Sequence, residues 1–98
     1  MKPPEDCANI EDVRENIDAL DRENVTLIGR RAQSVTFAAR FKTDEESVRA
    51  PARQRAMLGI RRRWAEEEGL SPEVIETIFR TLVAYFIQRE MRDWRESR

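Results

Sequence analysis

IEDVRENIDALDRENVTLIGRRAQSVTFAARFK, residues 10–42, is the stretch that decides the fold of this chain. Apolar and small residues recur along it at the spacing of an amphipathic helix, at Ile10, Val13, Ile17, Leu20, Leu27, Val35 and Ala38. No proline interrupts it. One helix from Ile10 to Phe41 is about 48 Å long, whereas a compact domain of this size is roughly 34 Å across. The pattern therefore predicts a helix that is buried by a second copy of the chain.

Three basic side chains on this stretch indicate a site for an anion. Arg31 and Lys42 are 11 residues apart, which on one continuous helix places them nearly on one face, about 16 Å apart along the axis. The gap between two such long side chains fits a small dianion. Arg14 is too far away to reach the same ligand from the same copy. In an antiparallel pair of such helices, Arg14 of one copy could approach Arg31 and Lys42 of the other, which would make the sites of the predicted homodimer shared.

Composition limits the class of protein. The 98 residues suit one domain, predicted over residues 1–98, whose core is marginal without help. Charged residues make up 38% and hydrophobic residues 40%, which favours helices with solvated outer faces. The 18 basic and 19 acidic residues give a net charge of -1. That balance argues against nucleic acid and anionic membranes as partners.

Rare residue types narrow the chemistry further. The chain has no histidine, which removes the commonest general base and the commonest metal ligand. Its one cysteine, Cys7, allows no intrachain disulfide and indicates a reducing compartment. No apolar run approaches membrane-spanning length, and no signal peptide is recognised. We therefore expect a soluble, cytoplasmic protein.

The remaining residues predict two shorter helices. Thr43–Ala50 lacks apolar periodicity and is predicted to be a loop. A proline suits the first turn of a second helix over about 51–68, and Gly69 is a good helix stop. Ser71 suits the N-cap of a third helix over about 72–96. The predicted fold class is therefore all-α, with one long helix and two shorter helices per chain.

The inward faces of the two shorter helices each contain a charged residue. The predicted inward residues are Arg53, Met57, Ile60 and Trp64 in the second helix, and Ile75, Ile78, Phe79, Leu82, Phe86 and Trp94 in the third. Glu90 lies in this third stripe, four residues after Phe86 and four before Trp94. An isolated buried carboxylate is costly and becomes neutral unless a cation pairs with it. Glu90 therefore either pairs with an inward cation or serves as a protonated hydrogen-bond donor.

A set of five residues resembles the pattern of the all-helical chorismate mutases. The set is Arg14, Arg31, Lys42, Arg53 and Glu90. The segments PEDC at 4–7, RFK at 40–42 and RWAEE at 63–67 are similar to the isochorismate-pyruvate lyase branch of that family. The resemblance covers nearly the whole chain. It implies an intertwined homodimer of three-helix chains that binds chorismate or isochorismate, both of which are dianions.

The resemblance also implies a mechanism and roles for the five residues. A Claisen rearrangement of chorismate, or a hydride shift with loss of pyruvate from isochorismate, needs no nucleophile, metal or cofactor. Carboxylates of the substrate are held by Arg31 and the partner subunit's Arg14. Lys42 contacts the ring-side carboxylate and the ether oxygen, Arg53 supports the site, and Glu90 donates to the ether oxygen. The loop before the second helix closes over the ligand.

Departures from the lyase pattern bear on the substrate. Glu90 stands where many bacterial relatives have Gln, and Phe86 stands where the lyase has a hydroxyl-bearing Tyr. Gln54 takes the place of a Glu that recognises the ring hydroxyl in mutases. With Met57 and Ile87, which we expect as core or pocket wall, these residues complete the predicted substrate-binding set. Isochorismate-pyruvate lyase with chorismate mutase side activity is the first expectation, and chorismate mutase as the main activity is the alternative.

Two other classes of protein stay open. A homologue with a degraded site would bind the ligand without turning it over. A helical nucleic-acid binder could use the arginines at 61–63, although the balanced charge and the neighbouring acids argue against it. Singly, the arginines of the set could also be surface ion pairs, Lys42 could merely complement a helix dipole, and Glu90 could merely pair with a cation.

Overall fold

The computed structural model describes residues 2–96, which form four α-helices and two 3₁₀ turns without any strand. The helices are α1 (Ile10–Ala38), α2 (Glu45–Arg49), α3 (Pro51–Glu67) and α4 (Pro72–Glu96), and the turns are Pro4–Asp6 and Ala39–Phe41. The prediction of an all-α chain with one long and two shorter helices is confirmed. The five-residue α2 is an addition to it. Among the described residues, no helix combines the length and apolarity needed to span a membrane.

The chain divides into two compact units, one ending at Ser34 and the other beginning at Val35. In the first unit the N-terminal lead-in is fastened to the start of α1. Asn9 caps the helix, because its Oδ1 accepts a hydrogen bond from the Asp12 N–H at 2.9 Å. Asn16 donates to the carbonyl of Lys2 at 2.6 Å and accepts from the Lys2 N–H at 3.2 Å. None of the residues of α1, all of which are described, is buried.

The first helix is predicted to run from Ile10 to Phe41, and helical winding does reach Phe41, but its last turn is not α-helical. The α-helix ends at Ala38, and the turn over 39–41 tightens to 3₁₀ winding. Lys42 itself is extended, with φ -91° and ψ 136°. A 3₁₀ helix turns by about 120° per residue and Lys42 is extended, so the α-helical angle of about 100° per residue does not apply over residues 39–42. The prediction that Arg31 and Lys42 share one helical face is therefore wrong.

The predicted loop over 43–50 is also wrong, because most of it is the helix α2. A capping box forms its start: the Asp44 carboxylate accepts from the Ser47 N–H at 2.7 Å, and the Ser47 hydroxyl accepts from the Asp44 N–H at 3.2 Å. Val48 anchors the helix in the core and is 1% exposed. Ala50 ends α2 in the left-handed conformation (φ 40°, ψ 60°) and directly precedes Pro51, the first residue of α3.

The predicted bounds of the two later helices are confirmed to within a residue. Gly69 follows α3 with φ 71°, and its N–H donates to the Glu66 carbonyl at 3.1 Å. The Leu70 N–H donates to the Ala65 carbonyl at 2.8 Å, which completes a Schellman motif. Ser71 caps α4, because its hydroxyl accepts from the Val74 N–H at 3.3 Å.

The core of the second unit lies where α4 packs against α3, α2 and the turn over 39–41. Its buried apolar residues are Val48, Met57, Leu58, Ala65, Phe86 and Met91. The inward stripe predicted for α3 is right for Met57 and wrong for its other three members, because Leu58 and Ala65 are buried in place of Ile60 and Trp64 while Arg53 is exposed. In α4, Ile78 is exposed, against the prediction, while its other predicted members are buried or half-buried.

Candidate active site

The predicted site residues are divided between the two units. Arg14 and Arg31 belong to the first unit. The second unit contains Lys42, Arg53, Gln54, Met57, Phe86, Ile87 and Glu90. Within the second unit, the structure couples Lys42 to Glu90 and to the end of α4.

Lys42 is half-buried and is held at its ammonium end by α2. Its Nζ donates to the carbonyl of Ser47 at 2.9 Å. The carbonyls in the last turn of a helix have no partner within that helix and carry partial negative charge, which suits a cation. The capping box at Asp44 makes this short helix form, so the local sequence DEES supplies the acceptor that holds the lysine.

The backbone of Lys42 is held by a second contact, which the sequence pattern did not reveal. The indole Nε1 of Trp94 donates to the carbonyl of Lys42 at 3.1 Å, from the last turns of α4. The apolar stripe predicted Trp94 to face inward, and it is half-buried. The apolar spacing could not predict that the indole N–H of Trp94 would bond to the Lys42 carbonyl. For Ser47 a signal existed, because an acid three residues before a serine is compatible with a capped helix.

Glu90 is a buried carboxylate, 6% exposed. Its Oε1 has no hydrogen-bond partner in the described part of the chain. Burial raises the pKa of the Glu90 carboxyl above its ordinary value of 4.5, and the Lys42 ammonium opposes this rise. The effect of burial is the larger one, because removing the carboxylate charge from water costs more free energy than its attraction to the partly solvated lysine returns. Lys42 therefore acts on a carboxyl whose ionisation is disfavoured relative to an exposed glutamate.

The other predicted members in the second unit differ in burial. Met57 and Phe86 are 2% and 3% exposed, and Ile87 is half-buried. Their predicted role as core or pocket wall agrees with this burial. Gln54 is half-buried, and Arg53 is exposed in the first turn of α3.

Two surface cavities border these residues. One of about 550 Å³ includes Ile87, Met91 and Arg92 among its lining residues. Another of about 420 Å³ lies where α2 meets α3 and includes Ser47 and Arg53. Each is large enough for a small organic anion, and each is lined in part by arginine side chains.

Within the first unit, the two arginines of the set have different surroundings. Arg14 is exposed and pairs with Glu11 at 3.1 Å, one turn away on α1. Such an exposed pair contributes little to stability, so the arginine can exchange this partner for a ligand at small cost. Arg31 is half-buried.

Two of the three arginines at 61–63 make contacts within the chain. The guanidinium of Arg61 lies 4.6 Å from the Trp64 ring centroid. Arg62 pairs with Glu73 at 3.3 Å and with Glu76 at 3.5 Å. These contacts use two of the three arginines that the nucleic-acid alternative needs. Among the described residues, no three cysteine, aspartate or glutamate side chains form a group that could hold a metal ion.

Comparisons with known proteins agree with this architecture. The family model of chorismate mutase type II matches residues 13–91. Isochorismate pyruvate lyase of Pseudomonas aeruginosa is 43% identical over 98 residues, which cover 100% of this chain and 97% of that protein. T-protein of Haemophilus influenzae is 38% identical over 72 residues, which cover 72% of this chain and 19% of that protein. The chain therefore belongs to the chorismate mutase type II family.

Proposed function

We propose that the protein is an isochorismate pyruvate lyase that converts isochorismate to salicylate and pyruvate, with chorismate mutase activity as a side reaction. The observation that carries the proposal is the similarity to the Pseudomonas aeruginosa lyase, which runs the length of both chains. The juxtaposition of Lys42 and Glu90 supports it, because both reactions break an ether bond whose oxygen gains negative charge.

The lyase reaction is internal to the substrate. The ether carbon–oxygen bond of isochorismate breaks while a ring hydrogen moves to the methylene carbon of the enolpyruvyl group. Pyruvate leaves and the ring becomes aromatic. In the mutase reaction the same kind of bond breaks while a carbon–carbon bond forms within chorismate. Neither reaction needs a group on the protein to form a covalent bond, so the work of the site is to hold a reactive conformer and stabilise charge.

In this proposal Lys42 supplies the positive charge beside the breaking bond. Its hydrogen bond to the Ser47 carbonyl holds the ammonium in place before substrate arrives. A donor that is already oriented need not reorganise as the bond breaks, which is the condition under which such charges accelerate reactions most. Lys42 is thus a catalytic residue, together with Glu90. Arg14, Arg31, Arg53 and Gln54 bind the polar groups of the substrate, and Met57, Phe86 and Ile87 form its apolar wall.

Glu90 acts in its protonated form in this proposal. An ionised carboxylate repels the charge that grows on the ether oxygen, whereas a carboxylic acid donates a hydrogen bond to it. The raised pKa of Glu90 supports the acid form. A dianionic ligand bound nearby raises that pKa further, since a neighbouring negative charge disfavours ionisation.

The proposal includes a homodimer whose active sites are shared. Apolar side chains along α1 remain largely uncovered in the single chain: Ile10, Ile17, Leu20 and Leu27 are between 48% and 57% exposed. A chain of 98 residues buries a limited apolar area on its own, so leaving such an apolar stripe in water is unfavourable. A second α1 laid against the first covers the stripe. It also supplies the partner subunit's Arg14 to the site.

The deciding experiment gives the purified protein isochorismate and chorismate separately. Salicylate fluorescence reports the lyase reaction, and loss of chorismate absorbance with formation of prephenate reports the mutase reaction. The proposal expects a higher kcat/KM for isochorismate, and loss of both activities in Lys42→Met. A higher kcat/KM for chorismate would support the alternative, in which chorismate mutase is the main activity. Saturable binding without turnover of either compound would identify a binding-only homologue.

A further inference from the structure

Two consecutive residues of α4 contact the segment that runs from Lys42 to Glu45. The Trp94 indole donates to the Lys42 carbonyl at 3.1 Å. The Arg95 guanidinium pairs with the Glu45 carboxylate at 2.7 Å. The two anchored positions are three residues apart in the chain. The last turns of α4 therefore fasten both the lysine backbone and the start of α2.

The two contacts differ in their exposure to solvent, and therefore in strength. The side chains of Arg95 and Glu45 are 58% and 51% exposed, so solvent and salt weaken that ion pair. The hydrogen bond of Trp94 is partly buried and joins residues 52 positions apart in sequence. When a partly buried hydrogen bond breaks, water reaches its donor and acceptor less easily, so breaking it costs more free energy. Trp94 is thus the stronger of the two anchors.

We propose that Trp94 is a positioning residue, which fixes the main chain of Lys42 and so sets where the lysine ammonium stands relative to Glu90. The inference rests on the proposed function, in which Lys42 touches substrate. Trp94 itself need not touch substrate.

The physical reason lies in the flexibility of lysine. Its four-carbon side chain has many rotamers, and an unconstrained ammonium samples a wide volume. Here the Trp94 indole holds the carbonyl of Lys42, and the carbonyl of Ser47 holds the ammonium. Glu90 and Trp94 are four residues apart on α4, so one helix face carries both the carboxyl and the anchor. With both ends of the lysine fixed, few positions remain for its charge.

A double-mutant cycle tests whether Trp94 acts through Lys42. Trp94→Phe keeps an aromatic ring in place but removes the N–H donor, and we expect it to lower kcat/KM about tenfold, the size of one net hydrogen bond. In a Lys42→Met background the same change is expected to have almost no further effect, because the group being positioned is absent. Trp64→Phe is the matched control, since that indole is on the exposed side of α3. A tenfold loss that persists in the Lys42→Met background would overturn the inference.

A second readout does not depend on turnover. Among the described groups, the Lys42 charge is the one that lowers the pKa of the Glu90 carboxyl against the effect of burial. Carboxyl titration by infrared or ¹³C NMR, assigned with Glu90→Gln, is expected to show a higher pKa for Glu90 in both Trp94→Phe and Lys42→Met. Trp64→Phe is expected to leave it unchanged. An unchanged Glu90 titration in folded Trp94→Phe would refute the positioning role.

The two readouts separate this inference from the proposed function. Wild-type protein that turns over neither isochorismate nor chorismate contradicts the proposed function, and the titration still decides whether Trp94 positions Lys42. If Trp94→Phe does not fold, benzothienylalanine can be placed at position 94. The Trp64→Phe chain is used for this, because Trp94 is then its one tryptophan. The analogue keeps the shape of the indole and removes only its N–H. The same upward movement of the Glu90 titration is then expected, and its absence overturns the inference.

Discussion

The Lys42 ammonium and the Glu90 carboxyl influence each other across the packing of α4 on the segment that follows α1. The lysine lowers the pKa of the acid, and burial raises it by more. A pair in which the positive charge prevailed would hold Glu90 as an ordinary ion-pair partner. Here burial prevails, so the pKa of the Glu90 carboxyl lies above its ordinary value in spite of the lysine. In the proposed reaction the protonated acid serves as the hydrogen-bond donor and the lysine supplies the positive charge.

Lys42→Met is predicted to lower kcat by about 10²–10³, because one preorganised donor is removed from the place where charge develops. Helicity by circular dichroism and the oligomeric state should not change, since the methionine keeps most of the apolar stem. Lys2→Met is a matched control, because Lys2 pairs with Asp12 at the far end of the chain. Near-normal turnover by Lys42→Met would refute the assignment.

Activity is predicted to fall as pH rises through the pKa of Glu90. The folded-state pKa lies above 4.5, so the donating acid form predominates below the raised pKa and is lost above it. Glu90→Gln donates at every pH, and its profile of kcat/KM should be flat over the range where wild type declines. A flat wild-type profile from mildly acidic to neutral pH, or an inactive Gln variant, would instead make Glu90 an ion-pair partner that positions cations.

The same carboxyl predicts a pH-dependent stability. A pKa raised by folding means that the folded state binds the proton more tightly than the unfolded chain. The resulting contribution is fully present below the unfolded value of 4.5 and is lost as pH rises through the folded value. Glu90→Gln should therefore unfold at higher urea concentration than wild type at neutral pH, and the gap should narrow on acidification. A constant gap across this range would contradict the burial of the charge.

Shared sites are predicted to restore activity when two inactive variants are mixed. Arg14→Ala and Arg31→Ala should each abolish most turnover. In a mixed dimer one site carries both changes and the other carries neither, so random exchange of subunits should return about one quarter of wild-type activity. Each variant refolded alone is the control. No recovery in the mixture, with subunit exchange verified by mass labelling, would place both arginines in the same subunit's site.

Gly69 and Gly59 are predicted to respond to alanine in opposite directions. Gly69 has φ 71°, and a Cβ there meets no atom within 4 Å, so the cost of Gly69→Ala is conformational, about 1 kcal/mol. Gly59 lies within α3 and also has open space around it. Gly59→Ala should stabilise the protein by up to about 1 kcal/mol through helix propensity. Urea unfolding at one fixed protein concentration compares the two, and equal effects would argue against the Schellman cap.

The sequence was most informative where a residue acts on its own neighbours. Pro51, Gly69 and Ser71 each act within one helical turn, and the helix bounds that they predicted agree with the observed bounds to within a residue. Apolar spacing was less informative. It could not tell which of Ile60 and Leu58 is buried in α3, because that choice depends on the surface against which the helix packs.

The site was harder to predict than the helices. The residue types were readable, but the position of Lys42 depends on a change from α to 3₁₀ winding and on an indole 52 residues away. Neither feature can be predicted from the spacing of apolar residues. The raised pKa of Glu90 likewise depends on the balance between burial and one nearby charge, which requires three-dimensional packing.

The junction at Ala50 limits how the length of this chain can vary. This one residue is both the C-cap of α2 and the N-cap of α3, so it alone separates the helix that holds the Lys42 ammonium from the helix that carries Met57. One inserted residue would change the orientation of α3 relative to α2, and with it the neighbours of every side chain on α3. The turn at 68–71 contains no such shared residue. Length changes between homologous sequences should therefore accumulate between α3 and α4 and be excluded between positions 42 and 57.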